Sequence, residues 1–290
     1  MKKYVSLFLT IAFCFGTLVM TSCNEAETET ESSVAESIQE SDSSVEESKP
    51  EPIKLKIGSY NIANGRDVGW NFQIIANDIV ENDLDIVGLQ EVDILCKRSK
   101  FTDTMELLKE YTGMQYYAYF KCIELEGDEA KYGKKGAYGT AILSKYPIDG
   151  TNDLELNPGN SVERRVLGCA KIDVNGTIVN FFNTHLTFSS LAIRKLEFQK
   201  VASAVKVAKN SILVGDFNVD SFDEFNALDP LSRVNTPETP FITFPSGDLM
   251  IDNICFSKEF THIEGSTKIV NKKHSDHVLL VAELEIMPAE

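Results

Sequence analysis

The sequence lacks the motifs of several large enzyme classes. It has no Gly-rich loop ending in Lys-Ser or Lys-Thr, which excludes a P-loop nucleotide site. It has no Gly-x-Ser-x-Gly elbow of the kind that carries the nucleophile of α/β-hydrolases. A His-Glu-x-x-His helix and the Cys spacings of zinc sites are also missing, and this argues against a zinc enzyme.

Tryptophan and long apolar runs are scarce. After residue 23 no apolar run is long enough to span a membrane, and Trp70 is the only tryptophan. No exposed apolar hairpin stands out, so we do not expect strong membrane insertion by the body of the protein. Of the six cysteines, Cys169 and Cys255 lie in strand-like runs and are expected in the core. Cys96 and Cys122 could pair outside the cytoplasm, although no spacing supports a disulfide.

The start of the chain has the features of an export signal. Lys2 and Lys3 precede an apolar run, Tyr4 to Met20, and small residues lead to Cys23. This ending resembles a bacterial lipobox, so we expect residues 1–23 to be a lipoprotein signal peptide and Cys23 to be lipidated. A plain N-terminal membrane anchor is the alternative. Either way we expect a protein of the cell envelope, outside the cytoplasm, on the periplasmic side or the cell surface.

An acidic tether and one folded body are predicted to follow the signal. Residues 24–52 hold ten acids, one lysine and few large apolar side chains, which is typical of a disordered, self-repelling segment with a charge of −9. The whole chain carries −16, and the +2 of the signal leaves −9 for residues 53–290, a length that suits one domain. An acidic body disfavours tight binding to a long polyanion, but it does not exclude a nuclease whose metal supplies positive charge.

Helical and strand patterns alternate through the body. The apolar spacing over residues 72–79 predicts an amphipathic helix, and Thr102 can cap a second helix. Asn175-Gly176 predicts a tight β-hairpin. A Gly/Lys loop is expected at residues 131–139, before a strand over residues 140–143.

Polar side chains follow the apolar strands at the point where each strand ends. The run Ile212 to Val214 predicts a buried strand that delivers Asp216 and Asn218, which point to one side because they are two residues apart. Open α/β sheets bind their ligands at such carboxyl ends. The same pattern recurs elsewhere, at Asn61, at Glu91, at His185 and at Asp276 with His277, while Asp252 lies within a further strand.

The residue types at these strand ends indicate a hard metal ion. Carboxylates and carboxamides suit Mg²⁺ or Mn²⁺. Each residue by itself could be a turn or cap residue, and a single histidine is more often structural. Core packing has no use for polar groups at so many strand ends, so the set as a whole indicates a catalytic site. His262 and His274 are expected on the surface.

Seven short motifs follow one another along residues 53–290. They are Ser59-Tyr-Asn-Ile62, Leu89-Gln-Glu-Val-Asp93, Ala141-Ile-Leu-Ser-Lys-Tyr-Pro-Ile148, Asn183-Thr-His-Leu186, Gly215-Asp-Phe-Asn218, Thr243-Phe-Pro-Ser246 with Ile251-Asp252, and Ser275-Asp-His277. Each is weak alone, but the ordered set resembles the endonuclease/exonuclease/phosphatase superfamily, which includes deoxyribonuclease I and neutral sphingomyelinases. The resemblance implies an α/β fold, a four-layer sandwich of two packed mixed β-sheets flanked by helices. It also implies metal-dependent hydrolysis of a phosphate ester.

The resemblance also implies a role for each site residue. Glu91 and Asn61 hold the metal, with Asp276 supporting that side. His277, paired with Asp252, activates the attacking water. Three further residues act on the water or the phosphate: Asp216 orients the water, Asn218 binds phosphoryl oxygens, and His185 binds phosphate or helps to protonate the leaving oxygen. Three more are candidates for contacts with the substrate, namely Arg98, Arg165 and Tyr138; for the two arginines, surface ion pairing is the alternative.

The expected activity is that of a monomeric, Mg²⁺-dependent phosphodiesterase acting on nucleic acid or on a phospholipid or sphingolipid headgroup. Thr184-His185 resembles the deoxyribonuclease, sphingomyelinase and inositol phosphatase branches more than the abasic-site endonucleases. One alternative is a phosphomonoesterase acting on a phosphorylated small molecule or an inositol phosphate. Another, of a different class, is a catalytically silent envelope lipoprotein that only binds; such a protein should have lost Glu91, Asp216 or His277, and all are present.

Overall fold

The computed structural model describes residues 50–160, 162–270 and 272–289 of the 290-residue chain. The predicted signal peptide, Cys23 and the tether up to residue 49 lie outside the described residues. Within the described part, no helix has the length and apolarity needed to cross a membrane.

Thirteen strands and four α-helices make up the described domain. The strands are β1 (Ile53–Asn61), β2 (Ile86–Ile94), β3 (Tyr116–Leu125), β4 (Gly136–Ser144), β5 (Ile148–Asn157), β6 (Arg165–Val174), β7 (Thr177–His185), β8 (Ser211–Asp216), β9 (Ser232–Arg233), β10 (Asp252–Phe256), β11 (Phe260–His262), β12 (Lys268–Val270) and β13 (Leu279–Ile286). The helices are α1 (Phe72–Glu81), α2 (Thr104–Thr112), α3 (Glu129–Tyr132) and α4 (Leu191–Val205). Three 3-10 helices cover Ala63–Val68, Phe222–Leu228 and Pro245–Gly247.

The strands form two mixed sheets. The first sheet has the order β11-β13-β1-β2-β4-β3, with β12 beside β13, and the second has the order β5-β6-β7-β8-β10-β9. Each sheet contains one parallel pair near its centre, β1 with β2 and β7 with β8, and the other pairs are antiparallel. The carboxyl ends of these two parallel pairs carry Asn61, Glu91, His185 and Asp216.

Three hydrophobic clusters separate four layers, and the predicted four-layer α/β sandwich is confirmed. One cluster lies between the two sheets and includes Ile57 and Ile212. A second packs α1 and α2 onto the outer face of the first sheet, through residues such as Ile75 and Met105. A third packs α4 and the 3-10 helix Phe222–Leu228 onto the second sheet, through residues such as Phe198.

Strand alternation brings the polar strand ends into the layer between the sheets. Ile212 and Val214 on β8 belong to the inter-sheet core, so Asp216, two residues further on, points the same way. The same count from Leu55 and Ile57 places Asn61 on that side of β1. Polar residues that lie an even number of positions beyond these core residues therefore face the same layer and meet at one end of the sandwich.

A buried polar layer closes the core just below this end. Gln90 Nε2 donates to Asn183 Oδ1 at 2.7 Å, and Asn183 Nδ2 donates to the carbonyls of Leu89 and Ala141 on the first sheet. The sheets approach closely here, because a Cβ added to Gly88 would lie 2.2 Å from Val214 Cγ2. Hydrogen bonds and close packing thus fix the two sheets relative to each other beneath the polar strand ends.

Several local predictions were wrong or incomplete. Thr102 does not cap α2, because Asp103 occupies that position and the Thr102 carbonyl accepts from Leu95 N in the preceding loop. The strand predicted at residues 140–143 begins at Gly136, since β3 supplies partners for residues 136–138. β5 is a mostly exposed edge strand without an apolar alternation, so no pattern indicated it. The four cysteines in the described part, including Cys96 and Cys122, are free.

Candidate active site

A cavity of about 710 Å³ lies at the strand ends. Eight of the predicted site residues line it: Glu91, Tyr138, Arg165, His185, Asp216, Asn218, Asp276 and His277. Asn61 and Asp252 are fully buried and hydrogen-bond to residues of this lining. The fold therefore brings together ten of the eleven residues that sequence reasoning selected from the domain; the exception is Arg98.

Asp216 is the centre of the polar cluster. Its Oδ2 accepts a hydrogen bond from Asn61 Nδ2 at 3.0 Å. The same oxygen lies 3.4 Å from His185 Nε2 and 3.5 Å from His277 Nε2. Its Oδ1 accepts from the backbone N–H of Asn218 at 3.1 Å. Residues from β1, β7 and the loop before β13 thus converge on one carboxylate at the end of β8.

Asp252 and His277 form a buried pair. His277 Nδ1 lies 2.8 Å from Asp252 Oδ2, which leaves Nε2 facing Asp216 and the cavity. Asp252 lies opposite Asp216 in the β8–β10 register, and Phe244 packs against the imidazole with 4.9 Å between ring centroids. Burial alone lowers the pKa of His277, but the charges of Asp252, Asp216 and Asp276 outweigh it and raise the pKa to about 10.

A bulge in β2 turns Glu91 into the cavity. Strict alternation would place Gln90 rather than Glu91 beside Asn61, which pairs with Gln90 in the β1–β2 register. The β2–β4 register shifts between Leu89 and Val92, and Glu91 has a φ of 57°, a left-handed conformation that is unfavourable for a residue with a Cβ. Asn61 Nδ2 lies 3.3 Å from Glu91 Oε1. This strained backbone holds the carboxylate toward the site.

The electrostatics of the cluster fit a cation. Burial raises the pKa of Asp216, and the charge of Asp252 raises it further. Burial likewise raises the pKa of Glu91, and Asp276 adds to the effect, while the hydrogen bond from Asn61 opposes it. Asp252 Oδ1 is buried without a hydrogen-bond partner among the described residues. Excess buried negative charge with an unpartnered oxygen is the setting in which Mg²⁺ or Mn²⁺ binds carboxylates.

The ligand atoms for such an ion lie close together. One ligand atom each from Asp216, Asp252 and His277 falls within a span of 4.8 Å. This set differs from the predicted one of Glu91, Asn61 and Asp276. Asn61 Oδ1 accepts from the backbone N–H of Ala63 at 3.1 Å, so as placed Asn61 orients its carboxylate neighbours through Nδ2. The metal-ligand role of Asn61 stays a prediction.

His185 and Asn218 complete the inner wall. His185 is almost fully buried, and burial, Arg165 and His277 together hold its pKa well below the ordinary histidine range, so the ring is neutral. Asn218 has a φ of 49°, which asparagine tolerates better than most residues, and its Nδ2 donates to the carbonyl of Leu186 at 3.0 Å. Both residues can contribute hydrogen bonds to a ligand beside Asp216.

Arg165 and Tyr138 form the opposite polar wall. Arg165 is 4% exposed, its Nη1 lies 2.7 Å from Glu163 Oε1, and its Nε has no hydrogen-bond partner within the described ranges. Burial raises the pKa of Tyr138 well above the ordinary value, so its hydroxyl stays a neutral donor. A buried arginine with a free N–H suits an anionic ligand.

Arg98 lies outside the cavity lining, and its role as a substrate contact stays a prediction. Its Nε and Nη2 donate to Asp93 at 2.9 and 2.8 Å, and it stacks over the ring of Tyr138 from outside the cavity lining. The Asp93 side chain is fully buried in β2 and needs a cationic partner, which explains where Arg98 is held. Arg98 thus forms an ion pair with Asp93, as the alternative to a substrate contact predicted.

Asp276 is held at the rim by a residue that sequence reasoning missed. Arg66, in the 3-10 helix Ala63–Val68 after β1, hydrogen-bonds to Asp276, and both line the cavity. His274, expected on the surface, has a side chain that is 29% exposed, and its Nδ1 lies 2.9 Å from Asp78 Oδ2. This contact anchors the loop that carries Asp276 and His277.

For two of the residues that sequence reasoning missed, the sequence did contain a signal. Arg66 follows a strand end by five residues, and Phe244 lies inside one of the seven motifs. Glu163, the partner of Arg165, carried no pattern of its own. A second cavity of about 470 Å³, beside Ile193 and Leu196 on α4, contains none of the predicted residues, and we assign no chemistry to it.

Comparison with known proteins identifies the architecture. Residues 58–277 match the Endonuclease/Exonuclease/phosphatase family. No curated protein sequence matches the chain.

Solved structures with the same fold come from several organisms. An endonuclease/exonuclease/phosphatase of Beutenbergia cavernae is 22% identical with a TM-score of 0.65, over 80% of this chain and 72% of that one. The mannosyl-6-phosphatase of Bacteroides thetaiotaomicron is 23% identical with a TM-score of 0.57, over 79% and 99%. The human nocturnin catalytic domain, with a bound sulfate anion, is 16% identical with a TM-score of 0.61, over 82% and 97%. At these identities the similarity shows a shared fold.

Proposed function

Because the chain belongs to the endonuclease/exonuclease/phosphatase family, whose members are hydrolases of phosphate esters, we propose that it is a metal-dependent phosphoesterase. One observation carries the proposal: Asp216 Oδ2 lies within 3.5 Å of both His185 Nε2 and His277 Nε2, and His277 is backed by Asp252. A hydrolase that activates water needs such a base with its second nitrogen held by a carboxylate.

In the proposed reaction His277, held by Asp252, accepts the proton of the attacking water. Asp252 fixes the imidazole so that Nε2 faces the cavity, and Asp216 lies where it can accept a second hydrogen bond from the same water. The charges of Asp252, Asp216 and Asp276 raise the pKa of His277, and a bound cation would offset part of this effect.

Glu91 would hold the metal ion, with Asp276 supporting that side and Asn61 orienting Glu91 and Asp216, while Asp216, Asp252 and His277 act on the water. We propose Mg²⁺, or Mn²⁺, because the donors are carboxylate oxygens. Bound there, the ion would draw charge from the phosphoryl oxygens and raise the reactivity of the ester. Asn218, Arg165, Tyr138 and neutral His185 then supply hydrogen-bond donors for the remaining phosphoryl oxygens.

We favour a small phosphodiester as the substrate over a long polynucleotide. Glu163, Asp220 and Asp276 place negative charge at the cavity wall, and the chain as a whole carries −16. A long polyanion would be repelled by this surface. The monoesterase alternative has one specific support, the shared fold with a mannosyl-6-phosphatase. The binding-only alternative has none, since the catalytic side chains are retained and converge.

A substrate panel tests the proposed activity. The protein is incubated with bis-p-nitrophenyl phosphate, p-nitrophenyl phosphate, plasmid DNA and sphingomyelin, each with Mg²⁺ and with EDTA. We expect turnover in Mg²⁺ that EDTA abolishes, with the diester cleaved faster than the monoester. Faster monoester turnover would select the alternative, and no metal-dependent turnover of any substrate would favour the binding protein.

We also propose that the protein is a monomer anchored to the cell envelope through lipidated Cys23. The composition of residues 1–23 supports this proposal. Incorporation of labelled palmitate by the wild type but not by Cys23→Ala is the expected result. Equal labelling of both would contradict the assignment of Cys23, and sedimentation of the detergent-solubilised protein tests the monomer.

A further inference from the structure

An exposed phenylalanine lies next to the catalytic cluster. Phe188 is 72% exposed although it lines the cavity, and it follows His185 by only three residues. A large aromatic side chain left in water gains nothing for folding. A single exposed apolar residue is ordinary on a protein surface, so what points to binding is that Phe188 lies in the catalytic cavity together with other apolar residues.

The backbone beneath Phe188 is rigidly held. Arg194, fully buried on α4, donates from Nη1 to the carbonyls of Thr187 at 3.0 Å and Phe188 at 3.2 Å. Glu197, also buried, accepts from Thr187 N at 2.8 Å and from Thr187 Oγ1 at 2.7 Å. The loop thus presents an exposed ring on a fixed backbone, the arrangement that binds a ligand with the least ordering cost.

Leu249 presents a second exposed apolar side chain to the same cavity. It is 44% exposed, and its backbone pairs with Phe244, with N–H to carbonyl distances of 3.0 and 3.1 Å in the two directions. Phe244 in turn packs against the imidazole of His277. Leu249 is therefore positioned relative to the catalytic base by a short, hydrogen-bonded loop.

The apolar residues of the cavity lining share one origin. All five come from loops of the second sheet, after β7 and β8 and before β10: Phe188, Val219, Phe244, Leu249 and Ile251. The charged residues come from both sheets, for example Glu91 from the first and Arg165 and Asp216 from the second. A phosphate ester has a charged phosphoryl group and an alcohol part, and the cavity offers charged residues for the one and an apolar side for the other.

We propose that Phe188 and Leu249 determine substrate specificity by binding an aromatic or other apolar face of the alcohol part of the ester. The inference rests on the proposed function, since it takes the polar cluster around Asp216 as the phosphoryl site. The substrate class that follows is a phosphate ester whose alcohol carries a ring or an equivalent apolar face. Stacking against Phe188 supplies the preference.

Two phosphonates, one with a ring and one without, measure the contribution of the ring to binding apart from that of the phosphoryl group, and neither requires turnover. Binding of phenylphosphonate and methylphosphonate to the Mg²⁺-loaded protein is measured by calorimetry, at a pH where both are dianions. The variants are Phe188→Ala, Phe188→Leu and the matched control Val207→Ala, whose side chain is 83% exposed and does not line the cavity. Circular dichroism confirms that each variant is folded.

We expect the wild type to bind phenylphosphonate about tenfold more tightly than methylphosphonate, which corresponds to about 1.4 kcal/mol. Phe188→Ala should remove this preference while changing methylphosphonate affinity less than about twofold, and Phe188→Leu should retain part of it. Val207→Ala should match the wild type.

The results distinguish a failure of the specificity proposal from a failure of the proposed phosphoesterase function. If methylphosphonate binds in a metal-dependent way but phenylphosphonate binds no better, or if Phe188→Ala weakens both ligands equally, the specificity proposal is overturned and the phosphoryl site stands. If neither phosphonate shows metal-dependent binding, the inference fails, and the proposed function is decided separately by metal-dependent turnover of the diester in the substrate panel.

Discussion

Glu91 should make the metal-free protein less stable and the metal-bound protein more stable. Its carboxylate is partly buried beside Asp276 on a left-handed backbone, and burial raises its pKa. Glu91→Gln keeps the shape and the backbone conformation but removes the charge. The variant should therefore unfold at a higher temperature than the wild type in EDTA and at a lower temperature in Mg²⁺, so the order of stabilities reverses.

The size of the metal effect follows from linkage. A ligand at about 100 times its dissociation constant stabilises the folded state by about 2.7 kcal/mol. For a domain of this size each kcal/mol shifts the melting temperature by about 2–4 °C, so the wild type should gain about 5–11 °C in Mg²⁺. Glu91→Gln should gain little of this, because it loses a ligand oxygen.

The effect in EDTA should depend on pH with a defined sign. The folded state raises the pKa of Glu91 above its unfolded value, so the penalty is absent below the unfolded pKa and appears as pH rises through the folded pKa. The advantage of Glu91→Gln should accordingly vanish in acid and grow toward neutral pH. Scanning calorimetry with the exposed Glu110→Gln as control tests this. A Glu91→Gln protein that is less stable than the wild type in EDTA at neutral pH would refute the reasoning.

Three further predictions concern separate parts of the account. In EDTA, NMR titration of the His277 ring should give a pKa of about 10 that falls when Mg²⁺ is added; a value near 6.5 in EDTA would contradict the charge cluster. Arg98→Ala should cost about 1–3 kcal/mol of stability because it leaves Asp93 unpaired, and its kcat/KM should stay within about twofold of the wild type. Arg165→Ala should instead lower kcat/KM more than tenfold. Equal losses of kcat/KM in the two variants would show that Arg98 acts in the site. Gly88→Ala should destabilise the protein by about 1–3 kcal/mol in urea unfolding, since its Cβ would lie 2.2 Å from Val214, and an unchanged midpoint would show that the sheets can separate there.

Strand ends were predictable because their signal is local. An apolar run followed by Asp216, or by His185, predicts both the strand and the side of the strand to which the polar residue points. Two sheets stacked with parallel strands at their centres then bring such ends together, so most of the site could be predicted from the residues, whereas the four-layer fold was predicted through the family resemblance. The convergence of Asn61 with Asp216 over 155 residues of chain follows from this topology.

What the sequence could not show depends on contacts between distant segments or on irregular backbone. Glu91 faces the site only because of the β2 bulge, which breaks the alternation on which the prediction depends. Arg98 was placed by motif spacing, but the fully buried carboxylate of Asp93, five residues away, binds it instead. The ion pair of Arg66 with Asp276 joins residues 210 positions apart in the chain, and no local pattern encodes it.

The central claim is that the His277–Asp252 pair activates water for hydrolysis of a phosphate ester. The most direct test is kcat/KM for bis-p-nitrophenyl phosphate in Mg²⁺, measured for the wild type, His277→Ala and the control His262→Ala, whose histidine contacts Thr267 outside the cavity. Loss of a positioned general base predicts a decrease of about 10²–10⁴-fold for His277→Ala and a change within about twofold for His262→Ala. A folded His277→Ala protein that retains wild-type kcat/KM would contradict the claim.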